Sequence, residues 1–228
     1  MRGVLGRHGP SQVSKKRPGL YTNDLSPKQR SRRPVPTAVF LKSAASAAQF
    51  PPDIGREVAF VGRSNSGKST AVNVITGAKK LARVSKTPGR TQLLNFFSCG
   101  EDRRLVDLPG YGFARVAPEV QASWRRSLEA YLSTRASLVG LVVTMDIRRG
   151  LTPLDDVLLR WLEPRDLPVA VLLTKADKLS RAAGIAQERA LQKSLGPPVK
   201  LARFSALTGD GVAEAQAWIE AWLSGARK

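Results

Sequence analysis

The sequence predicts an α/β fold: a six-stranded, mostly parallel sheet with one antiparallel strand and helices on both faces. Two features predict it. A glycine-rich loop stands between a β-branched run and a helical run, and from Pro52 onward short apolar runs alternate with amphipathic ones. Alternation of this kind builds parallel strands crossed over by helices. Polar motifs then recur where the strands end, which is the rim where ligands bind in such sheets.

The first strand is 57–62, and the loop that follows is Gly62-Arg63-Ser64-Asn65-Ser66-Gly67-Lys68-Ser69. It fits G-x-x-x-x-G-K-[ST] at every fixed position. Glycines at both ends let the backbone turn its N–H groups around a polyphosphate, and the following helix adds its N-terminal partial charge. Lys68 brings a point charge to the β- and γ-phosphates, and the Ser69 hydroxyl is placed to ligate Mg2+. A plain glycine-rich turn would not need a strand before it and a helix, 69–76, after it.

Residues 93–98 and 103–108 flank Gly100-Glu101-Asp102 and predict a hairpin that adds one antiparallel strand at a sheet edge. Helix 118–135, strand 138–147, helix 153–162, strand 168–174, helix 182–195, strand 199–205 and helix 212–223 complete the alternation. Residues 37–50 predict a short strand or helix on the core edge.

Asp107-Leu108-Pro109-Gly110 closes the strand at 103–108. An aspartate there can hold Mg2+ through a water, and a glycine three residues later can offer its N–H to a γ-phosphate. Thr174-Lys175-Ala176-Asp177 closes the strand at 168–174. A carboxylate accepts two hydrogen bonds from guanine N1–H and the exocyclic amine, a pair adenine cannot offer, while the Lys175 stem lies along the base. In Phe204-Ser205-Ala206 the Ala206 N–H is placed to reach guanine O6. Thr87 and Thr91, in the polar stretch before 93, are both candidates for a second Mg2+ hydroxyl, and spacing does not choose between them.

The chain has 228 residues, 42% of them apolar, enough for one core with tails. Its apolar runs, 138–145 and 168–173, are too short to cross a bilayer, so no membrane is expected. A lone cysteine, Cys99, excludes an internal disulfide and a multi-cysteine zinc site, and points to a reducing cytoplasm. A net charge of +19 points to a polyanionic partner, RNA or DNA. Residues 1–36 carry five prolines and no helical or strand period, which predicts a disordered basic tail ahead of one domain at 37–228. An organelle transit peptide, or a true start further downstream, are the other readings of that tail.

The motifs GRSNSGKS, SKTPGRTQLLNFF, LVDLPGYGFA, VVTMDIRRGLTPLD, LLTKADKLS and FSALTGDG, in that order, resemble the EngB/YsxC/YihA family of bacterial P-loop GTPases. The resemblance covers roughly 37–224. It implies GTP/GDP binding by the loop Gly62 to Ser69, by Gly89, Arg90, Thr91, Gln92 and Leu93, by Asp107, Leu108, Pro109 and Gly110, by Thr174, Lys175, Ala176 and Asp177, and by Phe204, Ser205 and Ala206. It implies Mg2+ at Ser69 and Thr91, and assembly of the large ribosomal subunit on its precursor ribosomal RNA, with a link to cell division and septation. Nothing in it demands more than a monomer. The long tail departs from the family pattern.

In Ras-like enzymes a glutamine after D-x-x-G orients the attacking water. Tyr111 stands there in this chain, so slow hydrolysis is expected, resting electrostatically on Lys68, Mg2+ and backbone donors. By resemblance Asn65 is a candidate ligand for K+, which would supply charge where other GTPases use an arginine. Two alternatives remain: a GTP-stabilised RNA-binding module without significant hydrolysis, and a metabolic ATP-dependent kinase, which Thr174-Lys175-Ala176-Asp177 disfavours.

Overall fold

The computed structural model describes residues 37–82, 93–111, 118–162, 165–195 and 199–225. Seven strands form one sheet: β1 (Val39–Ala44), β2 (Arg56–Gly62), β3 (Leu94–Ser98), β4 (Arg103–Asp107), β5 (Leu138–Asp146), β6 (Val169–Thr174) and β7 (Lys200–Arg203). Their order is β1-β3-β4-β2-β5-β6-β7. Helices α1 (Lys68–Thr76), α2 (Pro118–Thr134), α3 (Pro153–Leu162), α4 (Arg181–Leu195) and α5 (Val212–Ser224) complete the described elements, with short 3-10 turns at Ala47–Gln49 and Ala176–Lys178.

Two expectations are corrected. The sheet has seven strands, not six, because residues 39–44 pair with β3. That pairing also moves the antiparallel strand inward: β3 is antiparallel to both β1 and β4, and β1 takes the edge. Backbone pairing decides this, since β1 buries only Ala44 and leaves Val39, Phe40 and Leu41 exposed. The tail predicted for 1–36 lies outside the described residues.

β2 shows why the apolar runs are continuous. Val58 and Phe60 pack on one face with Val72 and Ile75 of α1 and Ile219 of α5. Ala59 and Val61 pack on the other with Leu128 and Leu132 of α2, Leu158 of α3 and Leu191 of α4. All four β2 residues are fully buried, as a strand covered on both faces requires. Burying each large aliphatic side chain contributes about 1.5–3 kcal/mol.

At the rim where β2 and β4 begin, Glu57 is a fully buried carboxylate. One oxygen accepts from Arg104 Nε at 2.6 Å and Arg135 Nη2 at 2.7 Å; the other accepts from Tyr131 Oη at 2.9 Å and Arg135 Nε at 3.0 Å. The two guanidiniums spend their remaining donors on the carbonyls of Pro51, Pro52 and Ile54. Paired and hydrogen-bonded in this way, a buried charge is tolerable. The network fastens the segment entering β2 to the end of α2.

Candidate nucleotide-binding site

β2 delivers the chain to Gly62, where the packing leaves no room for a side chain. A Cβ there would sit 2.1 Å from Thr144 Oγ1 and 2.5 Å from Ser66 Oγ. The loop then tightens through a hydrogen bond from Ser66 N to Arg63 O at 2.9 Å. Asn65 and Gly67 take left-handed backbone conformations, with φ of 63° and 88°, before α1 starts at Lys68. Asparagine tolerates that region better than most residues, and glycine adopts it freely.

Three buried hydroxyls brace the underside of the loop. Ser66 Oγ and Thr144 Oγ1 of β5 lie 2.7 Å apart, and Thr174 Oγ1 at the end of β6 donates to the Ser66 carbonyl. The loop is therefore fixed by the ends of both strands that follow β2 across the sheet.

Asp107 ends β4, and its carboxylate accepts a hydrogen bond from the Lys68 ammonium. The next residues run alongside the phosphate loop: Leu108 N donates to Phe60 O at 2.9 Å, Tyr111 N to Gly62 O at 3.2 Å, and Ser64 N to Tyr111 O at 3.0 Å. A Cβ at Gly110 would make only ordinary contacts near 3.5 Å.

Tyr111 has no freedom to orient a water. Its side chain is buried and its hydroxyl donates to Asp155 near the start of α3. Burial first, and then the Asp155 charge, push the phenol pKa far up, so it stays protonated. Asp155 also accepts from Thr152 N at 2.8 Å and Thr152 Oγ1 at 2.6 Å. Thr152-x-x-Asp155 is a helix-capping signature visible in the sequence, though nothing local in it points to Tyr111.

At the other end of the rim, Asp177 follows β6. Its Oδ1 accepts from Ser205 Oγ at 2.8 Å, and its Oδ2 lies 3.2 Å from Lys178 Nζ. The Ser205 hydroxyl chiefly, with help from Lys178, holds this carboxyl below its usual range. Ser205 Oγ in turn accepts from Leu207 N and Thr208 N, and Ala176 N donates to Phe204 O at 3.1 Å. Phe204 and Ser205 are buried, while Ala206 is exposed in the loop after β7.

Lys175 crosses from this end to the phosphate loop. It has a left-handed φ of 58°, and its Nζ donates to Asn65 O at 2.7 Å and reaches Asp146 Oδ2 at 3.0 Å. Asp146, at the end of β5, is buried and grips Arg148 through Nε–Oδ1 at 2.9 Å and Nη2–Oδ2 at 2.6 Å. Arg148 first, then Lys175, hold its carboxyl well below the usual range. Asp146 lies within the motif VVTMDIRRGLTPLD, but its pairing with Lys175, which follows the neighbouring strand, has no local signal in the sequence.

The segments 62–69, 107–110, 174–177 and 204–206 thus meet at one rim. Gly89, Arg90, Thr91, Gln92 and Thr87 lie outside the described residues; Leu93 stands just ahead of β3, partly exposed. Among the described residues no cluster of His, Cys, Asp or Glu suits a metal alone, and no helix is long and apolar enough to cross a membrane.

A phosphate loop opening a helix, an aspartate at the next parallel strand and a T-K-x-D segment two strands away define a P-loop GTPase. The family model described as "50S ribosome-binding GTPase" matches residues 57–175. A probable GTP-binding protein EngB of Coxiella burnetii is 47% identical over 190 residues, covering 82% of this chain and 93% of that one. The chain belongs to the EngB family of GTP-binding proteins. The fold matches the crystal structure of a probable GTP-binding protein engB with a TM-score of 0.61 at 24% identity, covering 74% of this chain and 99% of that one. It also matches Era in a complex with MgGDPNP and part of 16S ribosomal RNA, with a TM-score of 0.59 at 23% identity, covering 74% of this chain and 57% of that one.

Proposed function

We propose that this protein is a slow GTPase switch that binds the precursor of the large ribosomal subunit in the GTP state and leaves it after hydrolysis. The observation that carries the reading is the meeting of four motif segments at one rim of the sheet, with Asp177 placed by Ser205 and Lys175 tied to the phosphate loop. In this reading Lys68 and the 62–69 backbone hold the phosphates, Asp177 accepts from the guanine edge, and Ala206 N–H reaches O6. Gly89 to Leu93 belong, by resemblance, to the GTP-binding set.

Mg2+ suits the donor set. Ser69 and Thr91 would supply hydroxyls and Asp107 a water-mediated carboxylate, hard oxygens that leave the remaining positions to phosphates and water. The bound ion would neutralise charge developing on the transferred phosphoryl group. Tyr111, turned inward, supports a low intrinsic rate. The charge of +19 favours docking on ribosomal RNA. Nothing demands more than a monomer, the lone Cys99 fits a reducing cytoplasm, and the family resemblance adds a need in normal division and septation.

The test is co-sedimentation with ribosomal particles across a salt series, with GTP, GDP or ATP, for the wild type and Asp177→Asn. GTP-dependent, salt-sensitive attachment is expected in the wild type. The variant, having lost a charged acceptor of two hydrogen bonds, should bind GTP about 100-fold or more weaker. Attachment indifferent to nucleotide would favour the RNA-binding module instead. Equal ATP and GTP affinity would end the guanine reading.

A further inference from the structure

Lys175, like Thr174 beside it, ties the base-reading end of the rim to the phosphate loop, and its own placement needs explaining. A lysine ammonium on four methylenes loses about 1.5–2 kcal/mol of rotamer freedom when fixed. Its backbone is also left-handed, with φ of 58°, at a residue with no glycine-like freedom. Something must over-determine that conformation. The Asn65 carbonyl is one partner, at 2.7 Å. The other is Asp146 Oδ2, at 3.0 Å, on a carboxylate with a side-chain exposure of 5%. Asp146 comes from the neighbouring strand β5, where it lies opposite Thr174 in the β5–β6 register.

We propose that Asp146 is the positioning residue of the base-recognition segment: it holds Lys175 across the rim, so that the lysine stem forms one wall of the purine slot and its ammonium pins Asn65. The inference rests on the nucleotide reading above and extends it to a residue outside the phosphate, guanine and magnesium motifs. Asp146 itself touches no nucleotide. It acts through Lys175, and its second cation, Arg148, is half-exposed and bonds the same carboxylate. The two cations share one carboxylate, so removing Arg148 leaves the Lys175 contact in place.

Two physical consequences separate this role from a general structural one. Lys175 lies against the base, not against the γ-phosphate, so loss of Asp146 should weaken GTP and GDP alike and leave turnover at saturation near the wild-type value. The coupling must also run through Lys175, so Asp146 should cease to matter when Lys175 is gone.

The experiment measures GTP and GDP affinity, and kcat against KM, for full-length Asp146→Asn, Asp146→Glu, Lys175→Ala, the Asp146→Asn/Lys175→Ala pair and Arg148→Ala, with melting temperature recorded for each. Asp146→Asn should weaken both nucleotides by about 10-fold or more, with kcat within about twofold. Asp146→Glu, which keeps the charge, should recover part of the affinity. The double variant should bind no worse than Lys175→Ala, and Arg148→Ala should bind as well as the wild type or better. The proposal is overturned if Asp146→Asn binds within about threefold of the wild type. It is overturned equally if the pair loses affinity additively, or if Arg148→Ala weakens binding as much as Asp146→Asn. Should Asp146→Asn fail to fold, Asp146→Glu and Arg148→Ala decide: a charge-preserving variant weaker than Lys175→Ala refutes the proposal. A wild type that does not prefer GTP to ATP would bring down the nucleotide reading together with this one, whereas the outcomes above bring down this one alone.

Discussion

Replacing Gly62 with alanine adds one methyl group where β2 meets the phosphate loop. The backbone there is not left-handed, so alanine is conformationally allowed and would stiffen the unfolded chain by about 0.4–1 kcal/mol. Sterics oppose it. The new Cβ would lie 2.1 Å from Thr144 Oγ1, 2.5 Å from Ser66 Oγ and 2.7 Å from the Thr144 carbonyl, and the last of these cannot rotate away. Relief requires β5 to separate from the loop, an overpacking strain of about 1–3 kcal/mol. It also breaks the Ser66–Thr144 hydrogen bond, a further loss of about 1 kcal/mol. The net expectation is a destabilisation of about 1–3.6 kcal/mol, or about 2–14 °C in melting temperature for a domain of this size. Gly110→Ala is the control, because the same methyl meets only ordinary contacts there. Thermal melts followed by calorimetric GDP titration measure both effects. If Gly62→Ala melts with Gly110→Ala and binds GDP as the wild type does, the close approach of β5 to the loop is not a constraint and the reasoning fails.

Other outcomes follow from the remaining contacts. Glu57→Gln removes the carboxylate that two buried guanidiniums share, leaving Arg135 only Asp53 at 3.4 Å, and should destabilise the fold by about 3–5 kcal/mol in urea titration; a loss under 1 kcal/mol would show the pair to be solvated. Tyr111→Phe removes the donor to Asp155 and should lower stability by about 1–3 kcal/mol, yet leave single-turnover GTP hydrolysis within about twofold, since the phenol faces inward. A hundredfold loss of rate would make it part of the chemistry. Asp53 is held down to about 2 from 3.8: burial opposes this, but the hydrogen bonds donated by the Ala136 and Ser137 N–H groups, with the Arg135 charge nearby, outweigh it. A depressed carboxyl stabilises the fold above its unfolded pKa and loses that contribution as pH falls through the folded one. With the side chain 39% exposed, the contribution discounts to about 1 kcal/mol. The gap in melting temperature between wild type and Asp53→Asn should therefore be full at pH 7 and shrink between about pH 4 and pH 2.

Much of the architecture was legible because residues 58–61, 138–143 and 168–173 are runs without a polar side chain, as strands covered on both faces must be. The motif segments were legible because each follows such a strand. β1 was not, for a physical reason. Val39, Phe40 and Leu41 are 57%, 59% and 47% exposed, and the register shifts between Phe40 and Lys42, so no two-residue alternation survives for a reader to find. The inward position of β3 follows from β1 and was hidden with it. Asp146 and Asp155 lie in the quoted motif VVTMDIRRGLTPLD, but their roles toward the site come from partners distant in sequence: Lys175 for the first, Tyr111 for the second. Local spacing carries no trace of either pairing.

The ionic knot around Glu57 has a consequence for the opposite end of the molecule. It joins the starts of β2 and β4 to the last turn of α2, about 17 Å along the strand from the first glycine of the phosphate loop. Cohesion is thus anchored where no nucleotide reaches. In the proposed GTP-bound state Lys68 would exchange Asp107 for a phosphate, and that exchange would spend nothing from the distant anchor.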